Sequence, residues 1–212
     1  VGHDAVILGD NEIEVMTGRY ASRDYVIEPD ASSASYPLAA AAICGGRVEV
    51  PGLTIGSMQG DAAFCDVLAQ MGCTSTRDEH STVVGSGVAL HGIDIDMVDL
   101  SDLVPTLAAV ACFADTPTRI RGVGFIRAKE SDRLGDLCCE LRHLGVAVAE
   151  TDDGLTIDPS VLHGAQLGTH HDHRLAMAFG LVGLRVAGIE IDDPDVVAKS
   201  WPGYWEVLRG LG

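Results

Sequence analysis

Small apolar residues dominate three separate stretches of the chain, and more mixed sequence follows each of them. The stretches cover residues 36–44, 105–112 and 173–180, at a spacing of about 70 residues. Because they are apolar on nearly every side, we predict three buried helices rather than surface helices. The repetition indicates that one structural unit occurs three times along the chain.

The mixed sequence after each apolar stretch predicts a strand, a loop and a second helix. Short strand patterns occupy residues 47–50, 118–121 and 188–191. Residues 134–144 then place leucine or cysteine at intervals of three and four, which predicts an amphipathic helix that ends before Gly145. Three such units predict one closed α/β (α+β) domain with its helices inside.

The composition supports a folded core and an acidic surface. The 212 residues are 47% hydrophobic and 21% charged, and their formal net charge is −17. This charge argues against binding to nucleic acid or to an anionic membrane, because both require clustered Lys and Arg. No apolar run reaches the roughly 18–20 residues of a membrane span, and no signal peptide is visible, so we expect a cytoplasmic protein.

The cysteines agree with a reducing compartment. The chain has six of them, none in a CxxC pair, and most lie in apolar helical stretches. We therefore predict reduced thiols buried in the core. The six residues are Cys44, Cys65, Cys73, Cys112, Cys138 and Cys139.

The first candidate for chemistry precedes the amphipathic helix of the second unit. Arg127, Lys129, Glu130 and Arg133 gather there, and a helix N-terminus adds free N–H donors that favour an anion. Glu130 and Arg133 are three residues apart and share a face once the helix begins. The alternative is an ordinary helix cap with surface ion pairs.

A second charged group, at residues 170–174, opens the third buried helix, and His173 and Arg174 are its candidates. Charges at the start of an apolar helix are costly unless they line a site. This favours an anion-binding or acid–base role, with plain helix capping as the alternative. The histidines also suggest a metal, but consecutive side chains point in different directions and the sequence indicates no distant ligand, so we expect none.

Asp102 and Lys199 complete the set of candidates. Asp102 stands shortly before Pro105 and either caps the next helix or acts as a carboxylate base toward a hydroxyl group. Lys199 and Lys129 are the only lysines of the sequence, and they occupy equivalent loops of two units. A chance surface position is the alternative for each lysine.

Together these residues predict a positively charged opening in an acidic protein. Such a field attracts a small, multiply charged anion. Glu130 and Asp102 inside the opening would supply proton-transfer groups. The basic side chains expected around it are Lys129, Arg133, Arg174, Lys199 and Arg127.

Five motifs, in order and spacing, resemble the 5-enolpyruvylshikimate-3-phosphate (EPSP) synthases. They are Asp-Ala-Ser-Ser-Ala-Ser-Tyr at 30–36, Ser-Met-Gln-Gly-Asp at 57–61, Lys-Glu-Ser-Asp-Arg at 129–133, Asp-His-Arg at 172–174 and Ala-Lys at 198–199. Such enzymes have two similar domains, each an inside-out, barrel-like array of three βαβαββ repeats around buried parallel helices. Their ligands bind in the cleft between the domains.

The resemblance divides the chain into two parts. Residues 1–30 would be the end of the N-terminal domain and the crossover, and residues 31–212 would be the C-terminal domain. The other half of the enzyme would then lie outside this sequence. Without it, we expect the chain to fold but to be inactive or barely active.

The resemblance also implies an activity, the transfer of the enolpyruvyl group of phosphoenolpyruvate to the 5-hydroxyl of shikimate 3-phosphate with release of phosphate. Asp102 would interact with the attacking hydroxyl, Lys129 would lie near it, and Glu130 would move a proton at the methylene carbon. The basic residues expected to hold phosphoenolpyruvate, with His173 beside them, are Arg133, Arg174 and Lys199. No metal or organic cofactor is implied, and the partners are the two substrates and the missing domain.

One departure and two alternatives accompany this interpretation. Phe125 stands where many relatives carry a polar residue that touches shikimate 3-phosphate. The related transferase that acts on UDP-N-acetylglucosamine shares the fold and phosphoenolpyruvate, but the motifs at 129–133 and 172–174 favour the shikimate enzyme. The other alternative is a non-catalytic α/β module that binds anions or partners.

Overall fold

A computed structural model describes residues 5–19 and 22–211, and the chain begins there with a β-hairpin. Strand β1 (Ala5–Gly9) pairs antiparallel with β2 (Glu12–Val15). Every residue of both strands is exposed, and the apolar Ile7 is 77% exposed. A two-stranded hairpin with neither face covered is marginal in water, so this one requires a further surface.

The first helix starts and stops at residues suited to those positions. Helix α1 (Ala31–Cys44) begins where the carboxylate of Asp30 accepts a 3.0 Å hydrogen bond from the backbone N–H of Ser32. It ends at Gly45, whose φ of 78° disfavours any side chain. The next elements are β3 (Arg47–Pro51), α2 (Phe64–Gln70), β4 (Thr74–Arg77) and β5 (Ser81–Gly85). Strand β5 lies between β3 and β4 and is antiparallel to both.

The central part of the chain forms a four-stranded sheet with two helices. Its elements are β6 (Asp94–Asp96), α3 (Val104–Ala111), β7 (Thr118–Arg121), α4 (Arg133–His143), β8 (Ala147–Thr151) and β9 (Gly154–Asp158). The strand order is β6-β7-β9-β8, in which β6 and β7 are parallel and the other pairs are antiparallel. A 3₁₀ turn, Val98–Leu103, leads directly into α3.

The last part of the chain has the same order of elements as the central part, namely a helix, a strand, a turn and a second helix. Its elements are β10 (Gln166–Leu167), α5 (His173–Gly183), β11 (Glu190–Ile191) and α6 (Tyr204–Arg209). Strands β10 and β11 pair in parallel. A 3₁₀ turn between β11 and α6, Pro194–Lys199, carries Lys199 at its end.

Helices α1, α3 and α5 pack against one another at the centre of the core. The hydroxyls of Ser35 and Thr106 lie 3.4 Å apart near the starts of α1 and α3. Arg174, at the start of α5, donates a 3.0 Å hydrogen bond to Asp102, just before α3. The three helices are therefore parallel and begin at one end of the domain. Within the described ranges, no helix combines the length and apolar character needed to cross a membrane.

The predicted mixed α/β fold is confirmed, with one strand shorter than expected. The three apolar stretches are the buried helices α1, α3 and α5, and residues 134–144 form most of α4. Gly145 follows α4 with a φ of 86°, as a helix stop requires. The strand expected at residues 188–191 reduces to Glu190–Ile191, because Gly188 has a φ of 81° and cannot be extended.

The cysteine prediction is correct for four residues and wrong for two. All six thiols are free. Cys44 and Cys139 are exposed, because Cys44 is the last residue of α1 and Cys139 lies on the outward side of α4. The buried thiols are Cys65, Cys73, Cys112 and Cys138.

Candidate active site

A buried arginine organises the candidate site. Arg133 is the first residue of α4, and its side chain has no exposed surface. Its Nε donates to Asp172 at 2.7 Å, and its two terminal nitrogens donate to Asp102, at 3.0 Å, and to Glu130. A buried guanidinium is tolerated only with such anionic partners. Arg133 therefore holds three carboxylates from separate parts of the chain in fixed positions.

The three carboxylates meet because the inner helices begin at the same end of the domain. Asp172 caps α5, where it accepts a 2.9 Å hydrogen bond from the backbone N–H of Arg174. Asp102 is the penultimate residue of the 3₁₀ turn that leads into α3, and Glu130 lies in the loop before α4. No side chain caps α3 within the described chain, so the alternative in which Asp102 is a simple helix cap is wrong.

Three more basic side chains surround these carboxylates. Lys129 Nζ lies 3.4 Å from Asp102, Arg174 donates to Asp102 at 3.0 Å, and Lys199 Nζ donates to Glu130 at 2.7 Å. With Arg133 they make four cations around three carboxylates, a local charge of +1 in a chain whose net charge is −17. The side chain of Lys199 is 56% exposed, so an arriving anion can reach it. We call these seven residues the Arg133 cluster: Asp102, Lys129, Glu130, Arg133, Asp172, Arg174 and Lys199.

The cations keep two of the acids ionised. Partial burial opposes the charge of Asp102, but Arg174, Lys129 and Arg133 outweigh this and lower its pKa. Burial likewise opposes the charge of Glu130, yet a hydrogen bond from Lys199 and the nearby Arg133 lower its pKa to about 2. In this arrangement Glu130 is ionised and only weakly basic.

His173 lies beside the Arg133 cluster in a neutral form. It is 4% exposed, and burial, reinforced by Arg174, lowers its pKa. Its Nδ1 and the hydroxyl of Tyr36 are buried without hydrogen-bond partners in the described structure. Both residues line a cavity of about 20 Å³, which is enough for one water molecule.

Arg127 does not join the Arg133 cluster, which corrects the expected group of five basic residues. Its guanidinium donates at 3.1 Å to Asp132, the residue that caps α4, and at 2.8 Å to Glu150 of β8. Arg127 is thus engaged by Asp132 and Glu150 and not by the carboxylates of the Arg133 cluster. Phe125 lies closer to the site, half exposed, with its ring centroid 6.0 Å from Lys129 Nζ.

Two acids near the site are absent from the predicted set. Asp172 is fully buried against Arg133, and an Asp at the start of an almost wholly apolar helix is the sequence signal for it. Asp61 accepts a hydrogen bond from Ser32, and burial raises its pKa despite that bond and the nearby Arg174. A sequence pattern does not show which buried side chain will face a given acid.

Comparisons with known proteins agree on one family. Residues 5–208 match the family model described as EPSP synthase (3-phosphoshikimate 1-carboxyvinyltransferase). The 3-phosphoshikimate 1-carboxyvinyltransferase of Nostoc punctiforme is 50% identical over 205 residues, which is 96% of this chain and 48% of that protein. The protein of the same name from Methanoculleus marisnigri is 49% identical over 96% of this chain and 49% of its own length.

Solved structures show the same similarity in three dimensions. An EPSP synthase of Acinetobacter baumannii superposes with a TM-score of 0.84 at 28% identity, covering all of this chain and 52% of that one. The enolpyruvyl transferase NikO of Streptomyces tendae has a TM-score of 0.74 at 23% identity, over 100% and 50% of the two chains, and shows the fold alone. The chain spans about half the length of the relatives that it matches. It belongs to the EPSP synthase family.

Proposed function

We propose that this chain is one half of an enzyme that transfers the enolpyruvyl group of phosphoenolpyruvate to the 5-hydroxyl of shikimate 3-phosphate and releases phosphate. The observation that carries the proposal is the Arg133 cluster, which presents four cations and ionised acids at one end of the domain. Phosphoenolpyruvate carries a carboxylate and a phosphate, which match Arg and Lys side chains.

Arg133, Arg174 and Lys199 are the proposed holders of phosphoenolpyruvate. Arg133 is immobilised by its three carboxylate partners, so it orients the other groups more than it moves. Arg174 and Lys199 are 16% and 56% exposed and are free to turn from their carboxylates toward a substrate anion. His173 lies beside these residues and adds no positive charge to them, because its lowered pKa keeps it neutral. We propose no direct part for Arg127, because its guanidinium is bonded to Asp132 and Glu150.

Asp102 and Lys129 are the proposed groups at the attacking hydroxyl. As the hydroxyl oxygen bonds to C2 of phosphoenolpyruvate, its proton passes to Asp102, which is ionised and therefore able to accept it. Lys129, 3.4 Å from Asp102, stabilises the charge at that oxygen. The result is a tetrahedral intermediate on C2.

Glu130 is the proposed proton carrier at the methylene carbon, C3. When Lys199 turns to the substrate phosphate, Glu130 loses the hydrogen bond that most lowers its pKa and can carry a proton to C3. Loss of phosphate from C2 and return of a proton from C3 to Glu130 then give the enol ether. Glu130 takes its first proton from solvent, and the hydroxyl proton held by Asp102 leaves with the released phosphate, so bonds and protons balance.

The proposed division of the chain follows the family. Residues 31–212 would be a domain of three βαβαββ repeats, and residues 1–30 the end of the other domain with the crossover. The exposed hairpin of β1 and β2 supports this division, because it needs a partner sheet. The open setting of Lys199 supports a second wall of the site in the other domain. A reducing, cytoplasmic location accords with the two exposed free thiols.

A chimeric enzyme tests the proposal. This chain would replace the matching 205-residue region of the Nostoc punctiforme relative, and phosphate release would be assayed with both substrates. We expect turnover that Lys199→Ala lowers by about 10²–10³-fold, while Arg127→Ala, with a comparable loss of charge, stays within a few-fold. A folded chimera without turnover would contradict the proposal, and so would equal losses of turnover in the two variants.

Calorimetry on the isolated chain separates the alternatives. We expect weak binding of phosphoenolpyruvate, lost in Arg174→Ala, and no phosphate release when both substrates are present. Rapid turnover by the isolated chain would refute the requirement for a second half. Binding of UDP-N-acetylglucosamine in place of shikimate 3-phosphate by the chimera would favour the related transferase instead.

A further inference from the structure

A second group of metal-ligating side chains lies in the later part of α4, about two turns after Arg133. Cys139, Glu140 and His143 each offer one donor atom, and the three atoms lie within 4.8 Å of one another. None of the three belongs to the Arg133 cluster. They are a thiol, a carboxylate and an imidazole on adjacent positions of one rigid element, and the proposed function gives them no part.

The spacing of the donor atoms suits a single ion. Two nitrogen or oxygen ligands of a tetrahedral Zn²⁺ lie about 3.3 Å apart, given bonds of about 2.0–2.1 Å. Glu140 Oε2 and His143 Nδ1 are 3.0 Å apart, so they need almost no movement to share an ion. Cys139 and His143 are four residues apart on the helix, which places both side chains on one face.

The carboxylate of Glu140 is already fixed in position. Its side chain is 4% exposed, and its oxygens accept hydrogen bonds from His170 Nε2 at 2.9 Å and the backbone N–H of Gly168 at 3.0 Å. Oε2 also accepts the bond from His143, and this is the position that an ion would take in place of that proton. Outer partners of this kind orient a metal ligand and raise its affinity. The sequence indicates no distant partner for the histidines of residues 170–174, and the structure shows that His170 bonds to Glu140.

The ends of the site are open to solvent. Cys139 is exposed and the side chain of His143 is 55% exposed, so an ion can enter and a water molecule can complete the coordination. The inner side of α4 packs through Leu134, Leu137 and Leu141, and the buried Glu140 is held by protein hydrogen bonds from His170 and Gly168. The helix therefore does not depend on an ion in order to pack.

We propose that Cys139, Glu140 and His143 form a binding site for a divalent transition metal ion of intermediate softness, such as Zn²⁺. A thiolate, an imidazole and a carboxylate together favour this class over Mg²⁺ or Ca²⁺, which take oxygen ligands. On binding, Cys139 releases its thiol proton to solvent, and the ion replaces the proton between His143 Nδ1 and Glu140 while neutral His143 carries its own proton on Nε2. An ion that binds only the folded chain stabilises it in proportion to its affinity.

Cobalt(II) is the probe for this site, because its thiolate complexes absorb in the near ultraviolet. The full chain would be stripped with a chelator, reduced, and titrated with Co²⁺, then with Zn²⁺ as competitor. We expect one saturable Co²⁺ site with a thiolate charge-transfer band, displaced by Zn²⁺, and a higher melting temperature with Zn²⁺. The Cys139→Ser variant should lose the band, and His143→Ala should bind Co²⁺ at least about 10-fold more weakly.

Matched controls exist for both ligands. Cys44 is the other exposed thiol, and His91 is a histidine of equal exposure, 55%, that also pairs with a carboxylate. The variants Cys44→Ser and His91→Ala should bind Co²⁺ as the parent chain does. A parent chain without a saturable band, or a band that survives Cys139→Ser and His143→Ala, would overturn the proposal. Circular dichroism would establish that each variant is folded.

Discussion

Helix α4 carries two buried ionic groups of opposite design. At its first residue, the Arg133 guanidinium is the centre and three carboxylates surround it. About two turns later the Glu140 carboxylate is the centre, and His143, His170 and a backbone N–H surround it. One helix thus presents a caged cation at its start and a caged anion near its end.

The two groups differ in the partners that their central side chain can bind. A guanidinium offers five donors and keeps its charge at any ordinary pH, so the Arg133 cluster is a fixed frame for arriving anions. A carboxylate only accepts, and imidazoles and thiols are partners that a metal ion can replace. The first group is therefore suited to anions, and the second is suited to a cation.

The largest expected effect is on stability, from Arg133→Met. The variant leaves Asp172 fully buried with no cation, and we expect a loss of about 3–5 kcal/mol in the free energy of unfolding, measured by urea denaturation. Arg127→Met is the control, since its partners are partly exposed and the expected loss is at most about 1 kcal/mol. Similar losses in the two variants would show that the cage around Arg133 contributes no special stability.

An intermediate effect is expected from Glu140→Gln, measured by the same method with a chelator present. The amide places an NH₂ group where one oxygen accepts from His170 or Gly168, and we expect a loss of about 1–3 kcal/mol. Asp136→Asn is the control, because Asp136 also faces His170, at 3.3 Å, but is more exposed. A loss in Glu140→Gln as large as that in Arg133→Met would remove the contrast between the two groups.

The smallest expected effect is the loss of folding stability at low pH that is due to Glu130. The pKa of Glu130 is about 2 in the folded chain and about 4.3 in an unfolded one. Its contribution to stability is therefore complete above pH about 4.3 and is lost as the pH falls toward 2. Because the side chain of Glu130 is 29% exposed, solvent screening limits this contribution to about 1 kcal/mol.

Urea denaturation at pH about 5 and about 3 measures this contribution. The loss of stability on acidification should be smaller in Glu130→Gln than in the parent chain. Equal losses in both would mean that Lys199 and Arg133 do not lower the pKa of Glu130.

The sequence predicts the helices of this fold better than its strands. Runs such as residues 105–112 are apolar on every side, and only an interior position can satisfy them. The strand expected at residues 188–191 is short because backbone conformation at Gly188, which hydropathy does not report, decides where it begins. The prediction that Cys139 lies in the core is wrong, because its neighbour Cys138 takes the buried face of α4 and Cys139 is exposed.

Side-chain pairing is the part of the site that the sequence leaves undetermined. Equivalent loops in repeated units predict that Lys129 and Lys199 face one opening, and the structure brings both to carboxylates of the Arg133 cluster. Arg127 lies only two residues from Lys129, yet it turns outward to Glu150, a partner contributed by a distant strand. Contacts between distant residues depend on the packing of the whole domain and have no local signature.

The parallel course of the three inner helices has an electrical consequence. Peptide dipoles give each helix about half a positive charge at its start and half a negative charge at its end. The starts coincide with the basic side chains, while Arg185 satisfies the opposite pole, where it donates at 3.1 Å to the carbonyl of Ile43. The helix dipoles therefore add to the positive charge at the end of the bundle that carries the Arg133 cluster, in a chain whose net charge is −17.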